Sequence, residues 1–168
     1  RFFLISNNSS LTLINLTFVN GFDSAKGGAI LNYGNLTLIN CSFSNNKVFS
    51  GDIHNRDFSD YGGVIYSIGT LNVSDSNFTN NQLGSKYQFS SYGGVIYSKG
   101  DLIVNRSIFE NNEMNSYLDP DFVFNNNENA SLRGGAICSI GNGLKIYNSR
   151  FTGHELFAYY KSHSIREN

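Results

Sequence analysis

Charge, proline, tryptophan and long apolar runs are all scarce in this sequence. Only 15% of the 168 residues are charged and the formal net charge is −1, which excludes a long-range attraction for nucleic acid or anionic lipid. No apolar run approaches the roughly 18 residues of a transmembrane helix, so we expect no direct membrane insertion. The two cysteines, Cys41 and Cys138, indicate no compartment by themselves.

Residues that favour tight turns and residues that favour strands make up most of the chain. Asparagine, serine and 17 glycines suit repeated turns, while 14 phenylalanines and 10 tyrosines suit strands. The composition therefore predicts an all-β fold. The chain opens on Arg1-Phe2-Phe3, which is typical of the middle of a strand and shows no signal peptide. We expect residues 1–168 to be a single domain and a fragment of a longer surface protein.

One motif, Gly-Gly-Ala/Val-Ile, recurs four times and sets the period of the sequence. It occupies residues 27–30, 62–65, 93–96 and 134–137. A phenylalanine follows sixteen residues after its first glycine in three copies and seventeen in the last, and three of these phenylalanines begin Phe-x-Asn-Asn. A degenerate first copy ends at Phe18 and has Phe2-Phe3 in place of the glycines. The chain thus contains five copies with irregular ends, as repeat proteins often do.

Between the glycines and the phenylalanine, apolar residues align in columns at a spacing of two. The columns are Ile5, Ile30, Ile65, Ile96, Ile137; Leu11, Leu36, Leu71, Leu102, Leu144; Leu13, Leu38, Val73, Val104, Ile146; and Phe18, Phe43, Phe78, Phe109, Phe151. This spacing indicates strands with one face inward. No copy can bury that face alone, so stacked copies are expected to form continuous ladders.

The repeat predicts a right-handed parallel β-helix, or solenoid, of about five coils with loop insertions at one corner. Each coil is expected to contain about three short strands, and the asparagine columns to form side-chain ladders. The insertions cover residues 22–26, 47–61, 82–92 and 113–133. A leucine-rich repeat is the alternative, because residues 38–46 fit its scheme loosely. Copies of up to 41 residues without helical periodicity count against it.

The paired Gly-Gly-Ala/Val-Ile and Phe-x-x-Asn motifs resemble the repeats of chlamydial polymorphic membrane proteins and of the adhesin-like surface proteins of methanogenic archaea. The resemblance covers about residues 2–154 and departs from the pattern at Phe2-Phe3 and at Gly153-His154. It implies a parallel β-helix at the cell surface whose usual role is adhesion, and it supplies no catalytic residues.

The insertions are expected to cluster on one side of the solenoid, where repeat proteins usually build binding surfaces. Their aromatic residues are Phe49, Phe58, Tyr61, Tyr87, Phe89, Tyr92, Tyr117, Phe122 and Phe124. One interpretation is that these rings cover outward strand positions, namely Leu31, Tyr66, Ile68 and Tyr97. The other is that some of them form a platform for sugar rings. The candidates for this platform are Tyr61, Tyr87, Tyr92, Tyr117 and Phe122.

Charged residues gather in the two longest insertions. They are Asp52, His54, Arg56, Asp57 and Asp60 in the first, and Glu113, Asp119, Asp121 and Glu128 in the second. The binding candidates among them are Arg56, Asp57, Asp119 and Asp121. Carboxylates beside a basic residue would suit a polysaccharide lyase, and Asp119-Pro120-Asp121 could give two oxygens to Ca²⁺, which needs six to eight. Because no complete calcium or pectin-hydrolase motif is present, we expect solvated loop charges, no catalytic residue and no cofactor.

The histidines, the cysteines and the sequons indicate no site. His54, His154 and His163 lack metal-ligand spacing and are expected at the surface. Cys41 and Cys138 lie three coils apart, roughly 14 Å along the axis, which is too far for a disulfide. Nine Asn-x-Ser/Thr sequons are present, at Asn7, Asn8, Asn15, Asn35, Asn40, Asn72, Asn77, Asn105 and Asn129. Turn chemistry explains many of them, with glycosylation as the alternative.

These patterns favour an extracellular, cell-surface segment that acts as a rigid, adhesin-like scaffold. Its loops would bind a glycan or a protein of a host or of a neighbouring cell, and not nucleic acid. A polysaccharide lyase or glycoside hydrolase is the first alternative, and a non-binding structural spacer is the second. Because the ends of a β-helix have unpaired strand edges, end-to-end self-association is also expected.

Overall fold

The computed structural model describes residues 1–50, 59–85, 90–118 and 131–160, and in residues 116–118, 131 and 158–160 it describes the backbone alone. Within these residues the chain has 23 short strands and no helix, so there is none that is long and apolar enough to cross a membrane. Each strand pairs in parallel with the equivalent strand of the neighbouring copy. The predicted parallel β-helix of about five coils is confirmed.

Three of the five sheets form where the apolar columns predict strands, and each contains one strand from every coil. Sheet A consists of Phe3–Ile5, Ile30–Asn32, Ile65–Ser67, Ile96–Ser98 and Ile137–Ser139. Sheet B consists of Ser10–Ile14, Asn35–Ile39, Thr70–Ser74, Leu102–Asn105 and Leu144–Tyr147. Sheet C consists of Thr17–Val19, Ser42–Ser44, Asn77–Thr79, Ile108–Glu110 and Arg150–Thr152.

The register in these sheets stacks like residues directly above one another. The ladders are Ile30, Ile65, Ile96, Ile137 in sheet A, Leu36, Leu71, Leu102, Leu144 in sheet B and Phe43, Phe78, Phe109, Phe151 in sheet C. Successive phenylalanine rings lie nearly parallel, with centroids 4.6–4.8 Å apart. The ladder residues of the second to fourth coils are fully buried, so one continuous apolar core runs along the inside of the tube.

Two further sheets form in segments predicted to be loops, so the expectation of about three strands per coil is wrong. Sheet D consists of Phe22–Asp23, Lys47–Ser50, Gln82–Ser85, Glu113–Leu118 and Glu155–Tyr160. Sheet E consists of Ser59–Tyr61, Ser90–Tyr92 and Ser131–Arg133. In the second, third and fourth coils, each predicted insertion therefore begins with a strand of sheet D and ends with a strand of sheet E.

The strands of sheets D and E are hard to recognise in the sequence because they are short and their inward faces are partly polar. In the second coil, for example, Val48 is buried in a small apolar cluster while Ser50, on the same face, is a buried hydroxyl. The parts of the insertions between the two sheets, residues 51–58, 86–89 and 119–130, lie outside the described residues.

Asparagine is abundant because each coil turns two corners through a residue with left-handed backbone conformation, which asparagine tolerates better than most residues. Between sheets B and C these residues are Asn15, Asn40, Asp75, Arg106 and Asn148, with φ of 47–57°. Between sheets C and D they are Asn20, Asn45, Asn80, Asn111 and Gly153, with φ of 52–63°. A left-handed turn conformation accounts for three of the predicted sequons, at Asn8, Asn15 and Asn40.

The double glycine makes the corner before sheet A. Its first glycine has a positive φ in all four copies, for example 60° at Gly62, which favours glycine. Its second glycine leaves room for the neighbouring coil, because a Cβ on Gly63 would overlap the carbonyl oxygen of Gly94. The motif is therefore fixed by two separate backbone requirements.

The two ends of the tube are closed to different degrees. In the first coil, Phe2 and Phe3 pack against Phe18, whose side chain is only 6% exposed. In the fifth coil, the equivalent Phe151 is 37% exposed and Leu144 is 47% exposed. The phenylalanine pair that replaces the double glycine thus covers one end of the core, while the inward residues of the fifth coil remain open to solvent.

Candidate functional site

Two of the predicted binding residues, Tyr61 and Tyr92, lie in sheet E and pack on the outer face of sheet A. Their rings stack on each other with centroids 5.3 Å apart. The ring of Tyr61 also meets that of Tyr66 edge-on at 5.8 Å and that of Tyr97 at 4.7 Å. These tyrosines therefore cover outward positions of sheet A, as the first interpretation of the insertions proposes, although Ile68 stays 40% exposed.

This tyrosine cluster has basic groups at its edge. The Lys26 Nζ atom lies 5.6 Å from the ring centres of both Tyr61 and Tyr66, within the range of a cation–π contact. Burial, together with the neighbouring tyrosines, raises the pKa of Tyr97 to about 12, so that its hydroxyl stays protonated. Because Tyr61 and Tyr92 use ring surface on protein neighbours, less of it is left for a sugar, and a sugar platform at these residues stays a prediction.

An open groove follows the corner between sheets C and D across three successive coils, and we call it the C/D groove. Its volume is about 370 Å³. All of its lining residues are of polar types, and they are Asn45, Asn46, Lys47, Asn80, Asn81, Gln82, Asn111 and Glu113. Because coils stack, the same kinds of position recur along the groove. A ligand that fills it would run parallel to the solenoid axis.

The floor of the C/D groove is a ladder of buried amides. Asn46, Asn81 and Asn112 are fully buried, and the side-chain N–H of each of the first two donates to Oδ1 of the next at 3.0 and 2.9 Å. Asn81 Oδ1 also accepts the backbone N–H of Asn46, and its Nδ2 donates to the carbonyl oxygen of Phe43. Since the polar atoms of the Asn81 side chain are all satisfied inside the wall, the floor is held in place and is not available to a ligand.

The groups that a ligand can reach are the outward amides at the same corner. Asn45, Asn80 and Asn111 are exposed, and their left-handed backbone points successive side chains outward at one-coil intervals. None of these three side-chain amides has a hydrogen-bond partner among the described residues. Each can therefore offer two donors and an acceptor to a bound molecule.

The charges of the C/D groove differ at its two ends. Lys47, in the second coil, lies with its Nζ 4.4 Å from the ring centre of Phe49 and forms no ion pair within the part of the chain that the structure describes. Glu113, in the fourth coil, accepts hydrogen bonds from the side chains of Gln82 and Asn115. The carboxylate is thus already engaged by the protein, whereas the ammonium group remains open to an anion.

The C/D groove is not predicted from the sequence, although the sequence contains a signal for it. Each Phe-x-Asn-Asn motif is interpreted as a turn with a ladder, and its second asparagine does form one. Its first asparagine, followed two residues later by Lys47, Gln82 or Glu113, puts polar side chains on the outside of the same corner in the second to fourth coils. The spacing of the motif shows that these polar residues recur from coil to coil. Whether their corner is concave depends on the angle between sheets C and D.

Asp60, predicted to be a solvated loop charge, is buried between sheets D and E. Its carboxyl Oδ2 accepts a hydrogen bond from the Ser50 hydroxyl at 2.7 Å, while Oδ1 has no partner among the described residues. Burial raises the pKa of Asp60 to about 8, with the Ser50 hydrogen bond acting to lower it and the Asp23 charge to raise it further. The prediction is wrong because Asp60 occupies an inward position of the strand Ser59–Tyr61, which the sequence does not predict.

His154 also differs from its prediction as a surface residue. It is half-buried, and its Nδ1 accepts the backbone N–H of Asn112 at 3.4 Å, the position that an asparagine takes in the coils below. Burial lowers its pKa. Cys41 and Cys138 are both buried and free, as the spacing predicts. No group of three or more His, Cys, Asp or Glu residues that could hold a metal ion occurs in the described ranges.

Most of the predicted binding residues in the insertions cannot be placed. Tyr87, Phe122, Arg56, Asp57, Asp119 and Asp121 lie outside the described residues. Tyr117 lies in the sheet D strand Glu113–Leu118, but its side chain is outside the described part. The Ca²⁺ site at Asp119 and Asp121 and the lyase or hydrolase alternative therefore stay predictions.

Comparison with known protein families matches one segment of the chain. No curated protein and no solved structure matches the sequence. The family model of the Chlamydia polymorphic membrane protein repeat matches residues 40–68. This segment includes the Phe-x-x-Asn motif at Phe43 and the double glycine with Ile65, the two features on which the resemblance depends. The suspected resemblance to the repeats of chlamydial polymorphic membrane proteins is confirmed over residues 40–68.

Proposed function

We propose that this chain is a segment of an extracellular, cell-surface protein whose β-helix is a rigid scaffold for adhesin-like binding of a glycan or protein partner. The observation that carries the proposal is the C/D groove, because stacking of coils requires a packed interior but no open polar groove outside. The repeat match at residues 40–68 supports a surface location, since the repeat is named for a membrane protein.

A stacked β-helix is suited to presenting such a groove. In the second to fourth coils its core ladders are fully buried, and its corner amides are cross-linked by hydrogen bonds from coil to coil. Outward side chains are therefore held at intervals of one coil, ~4.8 Å. A surface that is already ordered loses little conformational entropy when a partner binds, which favours affinity.

Sheet D defines the side of the scaffold on which binding is proposed. One edge of this sheet borders the C/D groove, and its strands in the second to fourth coils lead into the insertions. A large partner on a host or neighbouring cell could therefore contact the groove and the insertions together. This arrangement is the basis for preferring a binding segment to a structural spacer.

Binding can be tested with the purified segment on a glycan array and on cultured host cells. We expect saturable binding that is weakened when Asn80→Gly and Gln82→Ala are introduced together in the groove. The matched control is Asn40→Gly, which removes an exposed asparagine with the same backbone conformation at the corner between sheets B and C. If the unmodified segment binds neither glycans nor cells above background, the proposal is wrong and the spacer alternative is favoured.

The location needs a separate experiment. Antibodies raised against the segment should label intact cells of the source organism without permeabilisation. Labelling that is seen only after the cells are opened would rule out a surface location, whatever the binding result.

A further inference from the structure

We propose that the C/D groove binds an extended oligosaccharide containing an acidic sugar, with the sugar carboxylate at Lys47 and hydroxyl groups at the exposed amides. The inference depends on the proposed function in one respect, which is that the groove is a binding surface. It adds the chemical class of the ligand, its direction along the solenoid and the residue that selects for charge.

The lining of the groove indicates a hydroxyl-rich ligand. Asn45, Asn80 and Asn111 each offer two N–H donors and a carbonyl acceptor that no described residue uses. Sugar hydroxyls donate and accept at once, so they can pair with both ends of an amide. An apolar ligand would find no apolar side chain in the lining, because all eight lining residues are polar.

The shape of the groove indicates an extended ligand rather than a compact one. The exposed amides recur in three successive coils, so the first and last are separated by two coil steps, roughly 10 Å. The groove volume of about 370 Å³ is at the small end of the range for ligand sites. A short chain of sugar units lying along the axis would place successive hydroxyl groups opposite successive amides.

The charge distribution indicates that one of the sugars is acidic. Lys47 has no ion-pair partner among the described residues, and its only described charge contact is with the Phe49 ring. Glu113 at the other end is already hydrogen-bonded to Gln82 and Asn115, and it would repel a second carboxylate. The ligand should therefore have its acidic group at the second-coil end and neutral sugars at the fourth-coil end.

An extended peptide fits the groove less well. Peptides that bind along a β-structure usually pair with a free strand edge and fill pockets for alternate side chains. Inside the groove, the strands of sheets C and D in the second to fourth coils are paired with neighbours on both sides. The backbone there has no free edge to offer, and the lining presents side-chain amides, one ammonium group and one carboxylate.

The test uses an array of uronate- and sialate-bearing oligosaccharides, each beside a counterpart whose carboxyl group has been reduced to an alcohol. Lys47→Gln keeps the side chain polar and should weaken binding of the acidic oligosaccharides about tenfold, without changing binding of the reduced ones. Lys145→Gln, at an exposed lysine of sheet B, is the matched control and should change neither.

A second set of variants tests the amides. Asn45→Gly, Asn80→Gly and Asn111→Gly together remove them while keeping a residue that accepts positive φ, so the fold should survive, and thermal unfolding checks that it does. Oligosaccharide binding should be lost in this variant. In side-chain amide NMR spectra, an acidic oligosaccharide should shift these three asparagines and leave Asn35, exposed on sheet B, unchanged.

The outcomes separate this inference from the proposed function. Binding of a protein partner or of cells with no binding of any oligosaccharide overturns the inference and leaves the proposed function standing. Oligosaccharide binding that is insensitive to Lys47→Gln, or that prefers the reduced sugars, also overturns it. Absence of binding to every probe overturns both.

Discussion

Asparagine has two different roles at neighbouring positions, which explains why the sequence is so rich in it. At the corner between sheets C and D, the first asparagine of each pair adopts a positive φ and is exposed, while the second is buried in the amide ladder. Side-chain hydrogen bonds that run from coil to coil satisfy backbone groups that a sharp corner would otherwise leave unpaired. The two roles differ in burial, so their contributions to stability should differ as well.

Replacement of a ladder asparagine tests this difference. Asn81→Ala would remove the acceptor of the Asn46 backbone N–H and of one Asn46 side-chain N–H, and it would remove a donor to the carbonyl oxygen of Phe43. Each unsatisfied buried group costs about 1–3 kcal/mol, so we expect the free energy of unfolding in urea to fall by at least about 2 kcal/mol. The control, Asn35→Ala on the exposed side of sheet B, should change it by less than about 0.5 kcal/mol. Equal losses in the two variants would contradict a special role of the ladder.

Asp60 makes the folded protein less stable as the pH rises. Its pKa is raised from 3.8 to about 8 by burial, so between these values the folded protein holds a proton that the unfolded chain releases. The stabilisation present at low pH is therefore lost as the pH rises through about 8, with a slope of at most about 1.4 kcal/mol per pH unit. The free energy of unfolding of Asp60→Asn, compared with that of the natural protein, should therefore increase as the pH rises to about 8 and level off above that pH.

Urea unfolding at several pH values measures this effect. Asp101→Asn, at an exposed carboxylate, is the control and should run parallel to the natural protein. A stability difference between Asp60→Asn and the natural protein that does not vary with pH would show that Asp60 is ionised in the folded state.

At the scale of elements, the phenylalanine ladder connects the coils through a continuous stack of rings. The Phe78 ring is fully buried between those of Phe43 and Phe109, at 4.8 and 4.6 Å, whereas Phe151 stacks on one side only and is 37% exposed. We expect Phe78→Ala to cost about 3–5 kcal/mol, and Phe151→Ala less than half of that. The free energy of unfolding of each variant, measured in guanidinium chloride, gives the comparison. Similar losses at the two positions would mean that stacking on both sides adds little.

The sequence predicts sheets A, B and C because their inward positions are apolar in every copy, so that the spacing of two is visible. It does not predict sheets D and E, because short strands such as Gln82–Ser85 contain glycine and serine at positions that neighbours nevertheless bury. The burial of Asp60 is not predicted for the same reason, because Asp60 lies in a strand of sheet E. These strands form because each one pairs with the equivalent strand of the next coil, whatever the strand propensity of its own residues.

The candidate site is predicted only in part for a related reason. Aromatic rings in the insertions are the binding residues that the sequence predicts, but two of them, Tyr61 and Tyr92, pack on sheet A. The C/D groove is built instead from the turn residues that the repeat explains as structure. A residue required by the backbone can also be exposed, as Asn80 is, and the sequence alone does not show which corner is concave.

At the scale of the whole molecule, the open core of the fifth coil makes self-association the expected behaviour of the isolated segment. Leu144 and Ile146 continue two inward ladders but are 47% and 40% exposed, because none of the residues that the structure describes forms a coil above them. The strands there also have unpaired outer edges within the described residues, and unpaired edges favour pairing with another chain.

Leu144→Lys combined with Ile146→Lys should therefore shift the segment toward monomer in sedimentation velocity. The matched control is Leu4→Lys with Ile14→Lys, which puts two lysines at exposed positions of the first coil, 58% and 51% exposed, and should change association less. A natural segment that is monomeric at every concentration, or a control pair that disrupts association equally, would contradict contact through the fifth coil.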